Sequence, residues 1–280
     1  TIPAANVRPQ SDIRCLFTNV TGEAEIRVVK ELAAESGLVA GVAEPGETLT
    51  YRLTLTSLES FDAFYDLTDN IDDNTTYVTG SATVGGTARE PLTADPLTWD
   101  DIIVPANGSV IVEYQVTVAD PIPAGVTEIG NIAYRTGDPE PDCTTAPDQC
   151  VITPTPGTAT PVKSLSGESG LVDGLAEPGE TLTYTVTLTN PDAAAALYDL
   201  TDNIDDNVTY VAGSARVGGA AVEPLTADPL TWADIIVPAN GSIDVVYQVT
   251  VADPIPAGVT EIGNIAYRTG DPEPDCTTAP

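Results

Sequence analysis

Histidine and methionine are absent from the 280 residues, and there are only three phenylalanines, two tryptophans and two lysines. Without histidine the chain lacks the side chain most often used for acid–base chemistry and metal ligation near neutral pH. No run approaches the roughly 18 apolar residues of a membrane span. Ten basic residues stand against 42 acidic ones, a formal charge of −32. That balance argues against nucleic acid or an anionic membrane as partner, since both attract basic surface. It suits a surface kept soluble in salt or one that collects divalent cations. No glycine-rich loop leads into a helix to cradle phosphate, and no serine or cysteine sits beside a base, so no enzymatic activity is expected. Carboxylates are so abundant that no pair stands out as a glycosidase-type acid and base. The chain opens on Thr1 and holds no methionine, which reads as a processed, exported polypeptide.

What is present is a repeat. Residues 90–147 recur at 223–280 with four differences, Asp100/Ala233, Val110/Ile243, Ile111/Asp244 and Glu113/Val246. EPGETLTY at 44–51 returns at 177–184, and YDLTDNIDDN at 65–74 returns at 198–207. Internal repetition on this scale means two copies of one structural unit.

Within a unit the period is that of strands. LTYRLTLT (49–56) alternates leucine and tyrosine with threonine and arginine, and VIVEYQVTV (110–118) puts Val110, Val112, Tyr114, Val116 and Val118 on one face. The repeat tests this assignment. Positions 111 and 113 exchange apolar for acidic residues between copies, which only a solvent-facing position tolerates. EPGE, VGG, TADP, PANGS, ADPIPAG and TGDPEP supply frequent turns, and no helical period is convincing. The expected fold is therefore all-β, two tandem immunoglobulin-like antiparallel β-sandwich domains. The expected boundaries are an N-terminal segment 1–25 that could be a donated or docking strand, repeat 1 over 26–142, a stapled junction at 143–158 and repeat 2 over 159–280. Trp99 and Trp232, flanked by strand-like sequence, read as core aromatics.

Cys143 and Cys150 bracket the junction in PDCTTAPDQCVIT. A disulfide there would stiffen the hinge and fits an oxidising, extracellular setting. Cys276 copies Cys143, and Cys15 in CLFT resembles Cys150 in CVIT. Either the chain is cut from a longer array of repeats, or Cys276 of one chain bonds Cys15 of the next, head to tail. Free thiols and zinc ligation are the alternatives, and a zinc finger's ligand spacing is missing.

The ordered series K…EPGETLTY…YDLTDN…GSAxVGG…LTW…VPANGS…VxYQVTVA…GNIAY, over about 31–135 and 164–268, resembles the prokaryotic surface "conserved repeat" domain. The resemblance implies immunoglobulin-like sandwiches in tandem within secreted or cell-surface proteins. NIDDN and the cysteine junction depart from that family's usual pattern. Related β-sandwich domains of Gram-positive pili and adhesins join their first and last strands by a Lys–Asn isopeptide bond. That chemistry needs an uncharged lysine, an asparagine amide and a protonated carboxyl in a dry core, and burial shifts both pKa values in the required direction.

Each repeat offers one set of such residues. In the first, Lys30 shares a face with Val28 and Leu32, Asn131 with Ile129 and Ala133, and Asp69 with Tyr65 and Leu67. The second set is Lys163, Asn264 and Asp202. Asp66 and Asp199 are fallback acids that alternation turns outward. The only two lysines of the chain sit at equivalent positions, in a sequence otherwise nearly stripped of them. A buried Lys–Asp ion pair beside an asparagine would leave the same trace, as would an exposed lysine kept by recent duplication.

The loop DLTDNIDDN is the second candidate site, for calcium as the one cofactor envisaged. Asp66, Asp72 and Asp73, with Asp199, Asp205 and Asp206 in the copy, could supply oxygen ligands beside Asp69, Asn74, Asp202 and Asn207, though the spacing matches no EF-hand. In so acidic a chain, a run of charge more often only meets water. Asn19, Asn74, Asn107, Asn207 and Asn240 lie in N-glycosylation patterns. The function expected is an extracellular structural protein, secreted or on the cell surface. It would be a tandem-repeat stalk or a subunit of a head-to-tail fibre whose partners are identical subunits or further repeats. The alternative is an adhesin module holding glycan, protein or calcium in its loops.

Overall fold

Leu49, Tyr51, Leu53 and Leu55 have no exposed surface while the residues between them are half-buried, as the alternation of LTYRLTLT requires. The same rule, applied along each repeat, yields four antiparallel sheets that pair into two β-sandwich halves, consistent with two tandem sandwich domains. The computed structural model describes residues 24–275. Cys15, Cys276, Asn19 and the segment 1–23 lie outside the described residues.

In the first sandwich, Thr48–Ser57 lies between Ile26–Glu35 and Ser109–Val118, and the short hairpin Thr83–Val84 with Thr87–Ala88 extends that sheet. The facing sheet runs in the order Cys150–Pro154, Glu128–Arg135, Ala63–Asn70, Leu97–Val104. The second sandwich repeats the first sheet with Thr160–Glu168, Thr181–Asn190 and Gly241–Val251. Its facing sheet is Thr226–Ala227, Leu230–Val237, Ala196–Ile204 and Asn264–Arg268. Among the described residues, no strand pairs with the outer edge of Asn264–Arg268.

Trp99 and Trp232 are core residues, as their flanking strands predict. Each indole N–H donates to a backbone carbonyl, of Arg89 at 3.1 Å and of Val222 at 3.2 Å, and each ring packs against a buried tyrosine, Tyr114 or Tyr247. Ile111, Glu113, Asp244 and Val246 face outward, so the repeat varies where solvent tolerates it. Gly46 turns the chain between the two glutamates of EPGE at φ 73°, a conformation that suits glycine.

Cys143 and Cys150 are disulfide-bonded, with Cα atoms 5.4 Å apart. The segment 143–158, read from sequence as a junction, contains the edge strand Cys150–Pro154 of the first sandwich, paired residue by residue with Glu128–Arg135. Beyond it Thr155 N–H donates to Thr127 O at 3.0 Å in the first sandwich, and Gly157 N–H donates to Ala195 O at 2.9 Å in the second, with Pro156 between them. Thr158 fixes the far side by donating its N–H and hydroxyl to Asp192.

Candidate functional site

Alternation points Lys30 out of the first sheet and Asp69 out of the second, so the two side chains meet across the sandwich. Lys30 Nζ lies 2.5 Å from Asp69 Oδ2, and neither side chain is exposed. Lys30 Nζ also donates to Tyr114 Oη at 2.9 Å, and Asn131 Nδ2 donates to the same hydroxyl at 2.9 Å. Tyr114 thus joins lysine and asparagine through one oxygen. Lys30, Tyr51 and Tyr114 come from the first sheet, Asp69 and Asn131 from the second. The ammonium rests over the rings of Tyr51 and Tyr114, 4.8 and 5.1 Å from their centroids, a favourable placement for a cation with little water around it.

The second unit repeats the constellation. Lys163 Nζ contacts Asp202 Oδ2 and donates to Tyr247 Oη at 2.6 Å, and Asn264 Nδ2 donates to that hydroxyl at 2.8 Å. The lysine, aspartate and asparagine that alternation turns inward lie together in both copies. Asp66 and Asp199 point outward as expected, where each accepts a backbone N–H, of Asp101 or Asp234, at 2.8 Å. The sequence reading missed Tyr114 and Tyr247. A tyrosine in an alternating apolar strand reads as packing, yet a buried hydroxyl needs a partner, and that need was the signal available.

Burial shifts the pairs toward neutrality. Desolvation lowers the Lys30 pKa and raises that of Asp69, outweighing their mutual attraction. In the second unit desolvation brings Lys163 down to about 8 and raises Asp202. Desolvation also drives Tyr114 and Tyr247 well above the ordinary phenol range, so both stay protonated. In each unit the second carboxylate oxygen and the asparagine carbonyl, Asp69 Oδ1 and Asn131 Oδ1 or Asp202 Oδ1 and Asn264 Oδ1, are buried acceptors without a donor. A proton on the carboxyl would turn one orphaned acceptor of each pair into a donor.

The acidic loop does not form the cation site proposed from sequence. Among the described residues no three acidic, histidine or cysteine side chains are placed to hold a metal ion. Asp72 is a turn residue. Its Oδ1 accepts from Asn74 N and Nδ2, both at 2.8 Å, and its Oδ2 accepts from Gly130 N at 2.9 Å. Asp205 does the same with Asn207 and Gly263. Asp69 and Asp202 are committed to lysine, Asp66 and Asp199 to backbone, and Asp73 and Asp206 are exposed. The loop's charge is divided among backbone caps, core and solvent. Of the glycosylation candidates, Asn107 and Asn240 are exposed in left-handed turn positions, while the amides of Asn74 and Asn207 are engaged with Asp72 and Asp205.

Comparison with known proteins assigns neither a family nor a function. No family model and no curated protein matches the chain, so the likeness to the conserved-repeat domain rests on the motifs quoted above. One similar solved structure is a Corynebacterium diphtheriae protein, provisionally described as membrane anchored, at 12% identity and a TM-score of 0.28. The match covers 88% of this chain and 55% of that one, and carries no functional conclusion at that level.

Proposed function

We propose that the chain is an extracellular structural protein, a tandem-repeat stalk or head-to-tail filament subunit, whose sandwiches are each cross-linked by a Lys–Asn isopeptide bond. The observation that carries this reading is the buried quartet of lysine, aspartate, tyrosine and asparagine spanning the two sheets of each unit. In the reaction, Lys30 Nζ bonds to Asn131 Cγ, the Asn131 Cγ–Nδ2 bond breaks and ammonia leaves. Asp69, protonated, polarises the amide carbonyl, takes the proton released by the attacking amine and passes it to the departing nitrogen. Tyr114 positions both nitrogens. Lys163, Asn264, Asp202 and Tyr247 take these roles in the second unit. The ion pair and the reactive pair of neutral amine and carboxylic acid are tautomers holding one proton, so the dry core needs only to favour the second.

The short link through Pro156 and the Cys143–Cys150 bridge support a stiff junction. A module that binds through its loops is the second reading. The loops TADPLTW, PANGS and ADPIPAG are identical between the units, which favours a spacer over a specialised binding face. The Cys143–Cys150 disulfide, of a kind that persists in oxidising compartments, supports an outside-the-cell location.

Intact mass of reduced, denatured protein decides between cross-link and ion pair. Each bond expels one ammonia, so two lower the mass by about 34 Da, irreversibly. The expected result is that deficit, with peptides joining Lys30 to Asn131 and Lys163 to Asn264. An unmodified mass would sink the cross-link and leave Lys30 and Lys163 as ion-pair partners.

A further inference from the structure

The first sandwich covers its Lys–Asn site with Cys150–Pro154, and among the described residues no strand covers the second. In the first, Val151 packs on the core and Thr153 is buried, while Ile152 points out with half its surface exposed. Asn131, Ile129 and Ala133 beneath are sealed. In the second, the equivalent Asn264, Ile262 and Ala266 are part-exposed, Val162 is 61% exposed, and an open groove of about 840 Å³ runs between Thr160–Glu168 and Asn264–Arg268. Lys163, Tyr184, Tyr198 and Asn264 line it. Edge strands with unpaired backbone groups and apolar flanks accept a further strand.

We propose that this groove is the acceptor for a β-strand formed by residues 15–18 of a second copy of this chain. The occupant is identified by the copy already filled. Cys150, Val151, Ile152 and Thr153 correspond to Cys15, Leu16, Phe17 and Thr18, and a glycine follows seven residues after each cysteine, Gly157 and Gly22. At Gly157 a Cβ would stand 2.7 Å from Ala194 O, so the chain enters the next sandwich where only glycine fits. The first-unit register, Cys150 opposite Ile132 and Thr153 opposite Ile129, translates to Cys15 opposite Ile265 and Thr18 opposite Ile262. Leu16 then enters the groove as Val151 does, and Phe17 takes the outward position of Ile152. Cys276, the copy of Cys143, is brought to Cys15, and the two thiols can give two electrons and two protons to a small disulfide such as oxidised glutathione. The second sandwich of one chain and the leading segment of the next thus form a joint like the internal one, and the joint seals Lys163 and Asn264 from water.

This deepens the reading of the chain as a filament subunit, yet it can fail separately, since intact mass reports the internal bonds and edge protection reports docking. The test is amide hydrogen exchange over residues 262–268 of the full reduced chain at low and high concentration, with Leu16→Asp as the control. Both described sandwiches begin after residue 23, so that variant leaves their folds intact. Protection should rise about tenfold or more with concentration and vanish in Leu16→Asp. Under oxidised glutathione, peptide mapping should find Cys15 joined to Cys276 of another chain. Protection independent of concentration would mean the segment folds back on its own chain, and an unprotected edge at high concentration would mean no strand docks; either overturns the proposal.

Discussion

The two sandwiches carry the same lysine, aspartate, tyrosine and asparagine and differ in how dry their interiors are. The Lys30 side chain has no exposed surface, whereas Lys163 retains 13%; among the described residues the second unit has no counterpart of the edge strand Cys150–Pro154. The comparison separates the residues of a site from the envelope that gives them their chemistry. Identical lysine, aspartate, tyrosine and asparagine are set in both units, but among the described residues only the first is covered by an edge strand, Cys150–Pro154. The desolvation that shifts their pKa values belongs to the envelope.

Breaking the lysine–carboxylate pair should have the largest effect and should expose that difference. Asp69→Ala leaves an uncompensated ammonium in a sealed core, expected to cost the first unit about 3–5 kcal/mol. Asp202→Ala should cost the second unit less, because Lys163 can draw water through the groove. Hydrogen exchange in the central strands, Thr48–Ser57 and Thr181–Asn190, reads each unit by itself. Equal losses in both units would contradict the role assigned to the groove. Neither variant should form the cross-link in the altered unit, so each should keep about 17 Da of the predicted deficit.

Much of this site was legible because β alternation is strict. Once Leu67 and Tyr65 are inward, Asp69 must follow, and Lys30 and Asn131 obey the same rule from their own strands. What escaped was set by tertiary pairing. CVITP carries too few residues and too late a proline to announce itself as a strand, and only its register with Glu128–Arg135 makes it one. Asp72 and Asp205 looked like metal ligands because composition cannot tell a carboxylate that caps a turn from one that waits for a cation. The glutamates of EPGE have a similar role. Glu44 and Glu47 are buried and accept backbone N–H groups of Val39 and Glu44, which explains the motif's return as Glu177 and Glu180.

A substitution in the lid should convert the first unit toward the second. Val151→Asp places a charge where a side chain packs on the core, and the edge strand should detach at a cost of about 2 kcal/mol. The expected signature is local: faster exchange over Glu128–Arg135 with the central strands of the first sheet little changed. A uniform loss across the whole unit would mean that the strand belongs to the cooperative core and is no separable lid.

The smallest expected effect is a pH dependence confined to the open unit, best measured in Asn264→Ala, which cannot cross-link. Folding lowers the Lys163 pKa from 10.5 to about 8, so between those values the unfolded chain holds a proton that the folded one has released. Stability therefore rises with pH through this window, being fully depressed below about 8 and relieved as the folded-state amine deprotonates. After discount for the groove's water, the gain between about pH 8 and 9.5 should be on the order of 1 kcal/mol, seen as slower exchange in Thr181–Asn190. Asp202 does not reverse the sign, because the pair shares one proton below the window and holds none within it. Filling the groove with the leading segment of another copy removes more water from Lys163, so the onset should move to lower pH as concentration rises. A profile flat from pH 8 to 9.5, or an onset indifferent to concentration, would uncouple the lysine's protonation from the strand that seals it.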